Sequence, residues 1–267
     1  MNLQNTPIGV FDSGMGGLTV LRALRAALPN ESFIYLGDTA RLPYGTKSAD
    51  TVKQYAVQMA RILIEKRIKL LVIACNTATT AALSHLQAML PDTPVIGVIN
   101  PGAQAAVAAS KNQRIAVIAT ETTIASQAYQ QAILAMCPQA KITARTCGLL
   151  VALAEEGMAD NAITHAAFDH YLAGFNEEDT LLLGCTHFPV FESYLKKRLP
   201  TSVNVVDSAL ATALAVKNVL HEKHLVNSDT TSEVRYLVTD SIQRFQAVGA
   251  LFLGAPLDKQ TIALIDI

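Results

Sequence analysis

Short runs that are apolar at nearly every residue recur along the chain, and segments of helical length separate most of them. Strands that are apolar on both faces are buried on both faces, which is typical of parallel sheets covered by crossover helices. We therefore predict an α/β fold with mainly parallel sheets. The predicted strands are residues 8–11, 33–36, 70–74, 95–98, 115–119, 141–145, 180–183, 203–206, 234–238 and 261–265. Helices are predicted at residues 18–28, 51–66, 77–90 and 123–136.

Composition excludes several classes of protein. Of the 267 residues, 51% are hydrophobic and 16% charged, which excludes a disordered chain. The 21 basic and 22 acidic residues leave no positive excess for a phosphate backbone. No uncharged apolar run approaches the roughly 20 residues of a membrane-spanning helix. We therefore expect no nucleic acid and no membrane as partner.

The amino-terminal residues and the cysteines predict the cellular compartment of the protein. The first seven residues are polar, so we expect no signal peptide. The four cysteines show no CxxC spacing, which is typical of free thiols in a reducing compartment. We expect a cytoplasmic protein. We also expect a homodimer, although no motif marks its interface.

Two strand-end motifs occur twice. Residues 8–13 resemble residues 115–120, and residues 70–77 resemble residues 181–187. The spacing is far longer than a solenoid repeat, so the duplicated unit is half of the molecule. We predict two pseudo-symmetric three-layer lobes, formed by residues 1–99 with 208–267 and by residues 100–207. The active site is expected in the cleft between them, because parallel sheets bind ligands at the carboxyl ends of their strands.

Cys75 and Cys185 lie at the ends of equivalent predicted strands. A thiol becomes reactive beside a helix N-terminus or a charged partner, and both cysteines are expected to lead directly into helices. His187 lies two residues after Cys185 and could exchange its proton. Asp12 is a candidate partner on the opposite wall.

Three kinds of chemistry fit these cysteines. A zinc site could use Cys75, Cys185 and His187, but the spacing is not that of zinc ligands, and we expect no metal. A Cys–His nucleophile would use one cysteine and leave the other without a role. Two thiols on opposite faces of an acidic carbon would give both cysteines a role, because one removes a proton and the other delivers one. The product is the inverted stereocentre.

A glycine-rich turn, Asp12-Ser13-Gly14-Met15-Gly16-Gly17, follows the first predicted strand. It is neither the dinucleotide fingerprint nor a P-loop. It could be a capped turn alone, but a carboxylate and a hydroxyl at the ligand end of a strand favour a carboxylate-bearing substrate. No lysine is placed at a strand end for a Schiff base, so we expect no cofactor.

Four ordered motifs resemble those of glutamate racemases, and the similarity extends over the whole chain. They are Phe11-Asp-Ser-Gly-Met-Gly-Gly17, Pro43-Tyr-Gly45, Ala74-Cys-Asn-Thr-Ala-Thr79 and Gly184-Cys-Thr-His-Phe-Pro189. The resemblance implies a cofactor-independent racemase with two α/β lobes. It also implies interconversion of L- and D-glutamate, which supplies D-glutamate for bacterial peptidoglycan.

The resemblance also assigns roles. It implies that Cys75 and Cys185 are catalytic thiols supported by Asp12 and His187, and that Asp38 and Glu155 are further supporting residues. Residues 151–155 read Val-Ala-Leu-Ala-Glu where the family has V-P-L-V-E, and residues 119–123 lack two family glycines. The implied substrate contacts are Asp12, Ser13, Pro43, Tyr44, Gly45, Cys75, Asn76, Thr77, Thr120, Thr123, Cys185, Thr186 and His187.

Two rival functions remain open at this point. An aspartate racemase of the same superfamily would share the paired cysteines and fit a shorter side chain. A regulatory amino-acid-binding module would keep the cleft without turnover, and the presence of both thiols argues against it.

Overall fold

The described residues form ten strands and eleven α-helices. The computed structural model describes residues 3–228 and 232–267. The strands are β1 (Ile8–Asp12), β2 (Phe33–Gly37), β3 (Leu70–Ile73), β4 (Val95–Gly97), β5 (Arg114–Ala119), β6 (Lys141–Thr146), β7 (Thr180–Gly184), β8 (Asn204–Asp207), β9 (Val234–Val238) and β10 (Ile262–Leu264). The helices are α1 (Leu18–Ala27), α2 (Ala49–Glu65), α3 (Asn76–Met89), α4 (Ile99–Ala109), α5 (Glu121–Ala125), α6 (Ala128–Met136), α7 (Leu149–Glu155), α8 (Ala162–Tyr171), α9 (Glu192–Arg198), α10 (Ala209–Glu222) and α11 (Ile242–Leu253).

Two parallel sheets organise these elements. One has the order β10-β9-β2-β1-β3-β4 and the other the order β6-β5-β7-β8. The first four strands therefore pair in the order 2-1-3-4, and the next four repeat that order. Every described strand pair is parallel, and β1 and β5 occupy equivalent central positions. The predicted α/β class with parallel sheets is confirmed.

Side chains that alternate between the two faces of the central strands form the hydrophobic core. In β1, Val10 belongs to a hydrophobic cluster that also includes Ile118 of β5 and Leu183 of β7. The next residue, Phe11, faces the opposite side and joins a cluster with helices α2 and α3. Successive side chains of a strand point to opposite faces, so one face of each sheet contributes to a shared core. This packing brings the two sheets against a common helical layer.

Two local features differ from the sequence prediction or sharpen it. The predicted helix 123–136 is two helices, α5 and α6, separated by Gln127 with a φ of 54°. The N–H of Ala128 is donated to the hydroxyl of Ser126, so the helical ladder is interrupted there. The predicted lobe boundary near residue 100 falls in the first turn of α4.

The second cysteine does not lead directly into a helix, as was predicted for both. A turn follows Cys185, then a 3-10 helix at Phe188–Phe191, and α9 begins only at Glu192. Pro189 has no N–H to donate, so it can stand only in the first turn of a helix. Cys75, by contrast, is followed at once by α3.

After β8 the chain returns through α10 to β9 and β10, which extend the six-stranded sheet beyond β2. Helix α10 packs against α1 and α4 on the way. Among the described residues, no helix has the length and apolar character that crossing a membrane requires.

A buried ion pair lies at the amino-terminal edge of the six-stranded sheet. The ammonium of Lys69 is 2.5 Å from Oε2 of Glu31, and the two side chains are 0% and 3% exposed. The other carboxylate oxygen of Glu31 accepts the N–H of Asn227 at 2.8 Å. The pair therefore joins the start of β3, the approach to β2 and the segment after α10.

We expect Lys69→Met to destabilise the fold by about 3–5 kcal/mol, because it leaves a buried carboxylate unpaired. The exposed pair between Arg235 and Glu233 provides the control. Arg235→Met should cost less than about 1 kcal/mol. Urea unfolding of both variants measures the difference, and equal losses would contradict a structural role for the buried pair.

Candidate active site

The first thiol, Cys75, stands between β3 and α3. As the N-cap of α3, its sulfur accepts the N–H of Ala78 at 3.4 Å, and its S–H donates to the hydroxyl of Ser13 at 3.6 Å. Burial, followed by the nearby carboxylate of Asp12, raises the pKa of Cys75 to about 12. In the free protein Cys75 is therefore a neutral thiol at physiological pH.

The second thiol, Cys185, follows β7 and faces a histidine. Its sulfur is 3.8 Å from Nδ1 of His187, and Nε2 of His187 is 2.9 Å from Oε1 of Glu155. Burial alone would lower the pKa of His187, but its hydrogen bonds to Cys185 and Glu155 outweigh this and raise it to about 10. The family resemblance implies that Glu155 is a supporting residue, and in the structure its carboxylate contacts the imidazole.

Helix α11 covers this histidine from outside. The ring of Phe252 packs edge-on against His187, with 5.2 Å between ring centroids. The guanidinium of Arg244 is 3.5 Å from Oε2 of Glu155 and equally far from the carboxylate of Glu156. The C-terminal part of the chain therefore contributes to the surroundings of Cys185.

Asp12 is fully buried at the end of β1. Its Oδ2 accepts the N–H of Gly14 at 3.0 Å, and its Oδ1 accepts the hydroxyl of Thr186 at 3.4 Å. Burial raises its pKa, against the opposing effect of His187. The carboxylate of β1 is thus bonded to the turn that carries Cys185, while Ser13 is the direct partner of Cys75.

The glycines of the first turn allow this contact. A Cβ on Gly16 would lie 2.5 Å from Nδ1 of His187, and a Cβ on Gly17 would lie 2.6 Å from the Cβ of Asp12. Any side chain at either position would displace the carboxylate or the imidazole. The glycine-rich motif is therefore explained by close packing between the two walls.

Three threonine hydroxyls meet where the sheets face each other. The Thr77 hydroxyl is 2.9 Å from that of Thr120 and 3.2 Å from that of Thr123, which are 3.0 Å apart. Next to them, the Thr122 hydroxyl donates to the carbonyl oxygens of Gly45 and Lys47. These contacts join α3 and the 3-10 helix at Tyr44–Thr46 to the start of α5.

The loop before that 3-10 helix is anchored by Asp38. Its buried carboxylate accepts hydrogen bonds from the Tyr44 hydroxyl, from Nε of Arg41 at 2.6 Å and from the Thr239 hydroxyl at 3.0 Å. Burial and the charge of Asp38 raise the pKa of Tyr44. Pro43 is exposed beside them. Asp38 therefore fixes the loop, and the Tyr44 hydroxyl is already engaged.

Asn76, directly after Cys75, is buried at 3% exposure. Its Oδ1 accepts a hydrogen bond from the hydroxyl of Tyr129 at 2.6 Å, and its Nδ2 has no partner among the described residues.

Sequence reasoning missed Tyr129, Arg244 and Phe252. Each lies within a helix far along the chain from its partner, so no local pattern marks it.

These residues place two buried thiols on different sheets, each at the carboxyl end of its strand. One thiol is protonated, and the other faces a basic imidazole. Such a pair can remove and deliver protons at one carbon. Within residues 3–228 and 232–267, no group of three or more His, Cys, Asp or Glu side chains is arranged to hold a metal ion.

We expect Glu155→Gln to lower the pKa of His187 from about 10 toward the ordinary histidine value, because the carboxylate that stabilises the imidazolium is removed. Titration of the imidazole nitrogens by NMR measures the change. Glu156→Gln is the matched control, since Glu156 is exposed and does not contact His187. An unchanged His187 titration in Glu155→Gln would refute this electrostatic coupling.

Comparisons with known proteins identify the family. A family model described as Asp/Glu/hydantoin racemase matches residues 8–216. A glutamate racemase of Geobacter metallireducens is 47% identical over 255 residues, covering 94% of this chain and 93% of the relative.

Solved structures are similar over nearly the whole chain. A glutamate racemase isoform from Bacillus anthracis has a TM-score of 0.93 at 36% identity, covering 99% of this chain and 98% of that one. A glutamate racemase from Francisella tularensis in complex with D-glutamate has a TM-score of 0.91 at 37% identity, covering 98% of each. The chain therefore belongs to the Asp/Glu/hydantoin racemase family and is an amino-acid racemase.

Proposed function

We propose that this racemase interconverts L- and D-glutamate without a cofactor, with Cys75 and Cys185 as the two proton carriers. The observation that carries the proposal is the placement of two buried thiols after β3 and β7, which hold equivalent positions in the two sheets. The similarity to glutamate racemases supports glutamate as the substrate over the shorter aspartate.

The proposed reaction moves two protons. A thiolate takes the proton from the α-carbon, so that one C–H bond breaks and an S–H bond forms. The opposite thiol then donates its proton to the other face of the resulting carbanion, which breaks the second S–H bond and forms the new C–H bond. The product is the other enantiomer, and the thiolate and thiol have exchanged places.

The two walls differ in electrostatics. Because its pKa is raised to about 12, Cys75 suits the role of proton donor in the free protein. The His187 imidazolium lies where it stabilises a negative charge on the sulfur of Cys185. We therefore propose that Cys185 takes the α-proton from L-glutamate and that Cys75 takes it from D-glutamate.

The two carboxylates of the substrate require hydrogen-bond donors in the protein. Asn76 offers an unpaired Nδ2, and the threonine hydroxyls of the cleft can donate as well. We propose Asp12 and His187 as supports of the thiols, Asp38 as the anchor of the loop, and Glu155 as the partner of His187. The remaining proposed substrate contacts are Ser13, Pro43, Tyr44, Gly45, Thr77, Thr120, Thr123 and Thr186.

We also propose the division into lobes, the oligomeric state and the cellular location. The lobes would comprise residues 1–99 with 208–267 and residues 100–207, which agrees with the place of β9 and β10 in the first sheet. Leu210 and Leu214 are 64% and 49% exposed on one side of α10, an apolar surface that a homodimer would cover. Free thiols suit the cytoplasm, where D-glutamate would enter peptidoglycan synthesis.

Incubation with L- or D-glutamate in deuterated water tests the proposal. We expect loss of optical activity with deuterium at the α-carbon, and little reaction with aspartate. Cys75→Ser and Cys185→Ser should each lower the racemisation rate by about 10²–10⁴-fold, because serine is far less acidic. Cys137→Ser is the control, since Cys137 ends α6 outside the cleft. A serine variant at position 75 or 185 that racemises normally would refute the mechanism, and turnover of aspartate alone would refute the substrate.

An elimination that needs only removal of the α-proton tests which thiol acts on which enantiomer. Enantiomers have equal free energies, so kcat/KM falls equally in both directions whichever wall is damaged. A glutamate analogue with a leaving group on the β-carbon avoids this limit, because removal of the α-proton expels that group without reprotonation. We expect Cys75→Ser to eliminate only from the L-analogue and Cys185→Ser only from the D-analogue.

The supporting residues should follow the same division. Asp12→Asn should slow elimination from the D-analogue more, and His187→Asn elimination from the L-analogue more, by about 10-fold or greater. Release of the 2-oxo acid, formed when the enamine product hydrolyses, gives both rates. Equal losses from both enantiomers would contradict the assignment.

A further inference from the structure

Tyr129 lies between the two turns that carry the thiols. It belongs to α6, beside the four-stranded sheet, and is 1% exposed. Its ring packs against Gly184, where a Cβ would come within 2.9 Å of the ring. Its hydroxyl reaches Asn76 at 2.6 Å. One side chain thus contacts the residue before Cys185 and the residue after Cys75.

The hydrogen bond fixes the orientation of the Asn76 amide. The carbonyl Oδ1 can only accept, so the single proton of the Tyr129 hydroxyl must be the one donated. Burial, followed by the charge of Cys185, raises the pKa of Tyr129, so the phenol keeps that proton. With Oδ1 engaged, the donor Nδ2 must point away from Tyr129.

That Nδ2 is buried and has no partner in the described part of the chain. A buried donor without an acceptor is unfavourable, so its natural partner is a group that arrives with the ligand. Asn76 is adjacent to Cys75, and the two carboxylates of a dicarboxylic amino acid supply the acceptors. A carboxylate strengthens such a bond because it carries a negative charge.

We propose that Tyr129 is a positioning residue that turns the Nδ2 of Asn76 toward one carboxylate of the substrate. The inference rests on the proposed function, because it takes the substrate to be an amino acid bound beside Cys75. Tyr129 itself need not touch the substrate. It acts through Asn76, from the opposite side of the cleft.

In this arrangement, residues from helices of both sheets form the proposed carboxylate site. Asn76 begins α3 behind the six-stranded sheet, whereas Tyr129 belongs to a helix of the four-stranded one. Ser208, at the start of α10, lies with the Tyr129 hydroxyl beside Gly102, where a Cβ would be 3.0 Å from both. Substrate binding therefore depends on the fit of three helices around one hydroxyl.

Tyr129→Phe removes only the hydroxyl. We expect KM for glutamate to rise about two- to tenfold, as for the loss of one neutral hydrogen bond, while kcat changes less than about twofold. Tyr194→Phe is the matched control, since Tyr194 is a buried tyrosine of α9 outside the cleft. Its KM should remain that of the unmodified protein.

Two further variants separate positioning from a structural role. In an Asn76→Ala background, Tyr129→Phe should add no further rise in KM, because Tyr129 acts only through that amide. Asn76→Asp retains the acceptor for Tyr129 but replaces the donor by a negative charge, so KM should rise more than in Tyr129→Phe. This last variant leaves Tyr129 intact and tests the orientation of the amide independently.

The possible outcomes are distinct. Unchanged KM in Tyr129→Phe, additive effects in the double variant, or tight binding by Asn76→Asp would each overturn this inference. A lowered unfolding midpoint with normal KM would assign Tyr129 to stability alone. An unmodified protein that does not turn over glutamate would instead overturn the proposed function on which the inference rests.

Discussion

The close approach of a glycine turn to a histidine is the contact on which the rest of the site depends. Gly16 has no side chain, so the turn after β1 can lie against Thr186 and His187, which follow β7. Asp12 then bonds to Thr186, and Cys185 is held across from Cys75 with its histidine buried. A larger residue at this position would displace Thr186 or the His187 imidazole and so separate the two strand ends.

The two walls are alike in topology and different in charge. The equivalent strands β3 and β7 end in thiols, as a duplicated unit would provide. Around Cys75, burial and then the carboxylate of Asp12 raise the pKa of the thiol, and they outweigh its hydrogen bonds with Ala78 and Ser13, which lower it. Around Cys185 there is an imidazole tied to Glu155. Such asymmetry suits a reaction that begins with one thiol and one thiolate, because identical surroundings would not determine which sulfur holds the proton.

Sequence patterns predicted the strands and the cysteine pair because both depend on local or repeated features. All ten predicted strands are present within about two residues of their expected ends. The break at Gln127 was not predicted, because a hydroxyl–amide contact interrupts an otherwise regular helical pattern. The contact of Glu155 with His187 and that of Tyr129 with Asn76 join distant segments, so only packing reveals them. The turn after Cys185 could have been predicted from Pro189.

The three threonines that join the sheets have a further consequence. Each hydroxyl can rotate about its C–O bond, so the protons of Thr77, Thr120 and Thr123 can circulate in either sense around the triangle. Turning any one of these protons out of the triangle makes that hydroxyl a donor to a ligand, and turning it back leaves a lone pair free to accept, without moving a heavy atom. A cleft that receives two mirror-image ligands must satisfy two different arrangements of the same polar groups. A rotatable ring of hydroxyls accommodates both with a rigid backbone.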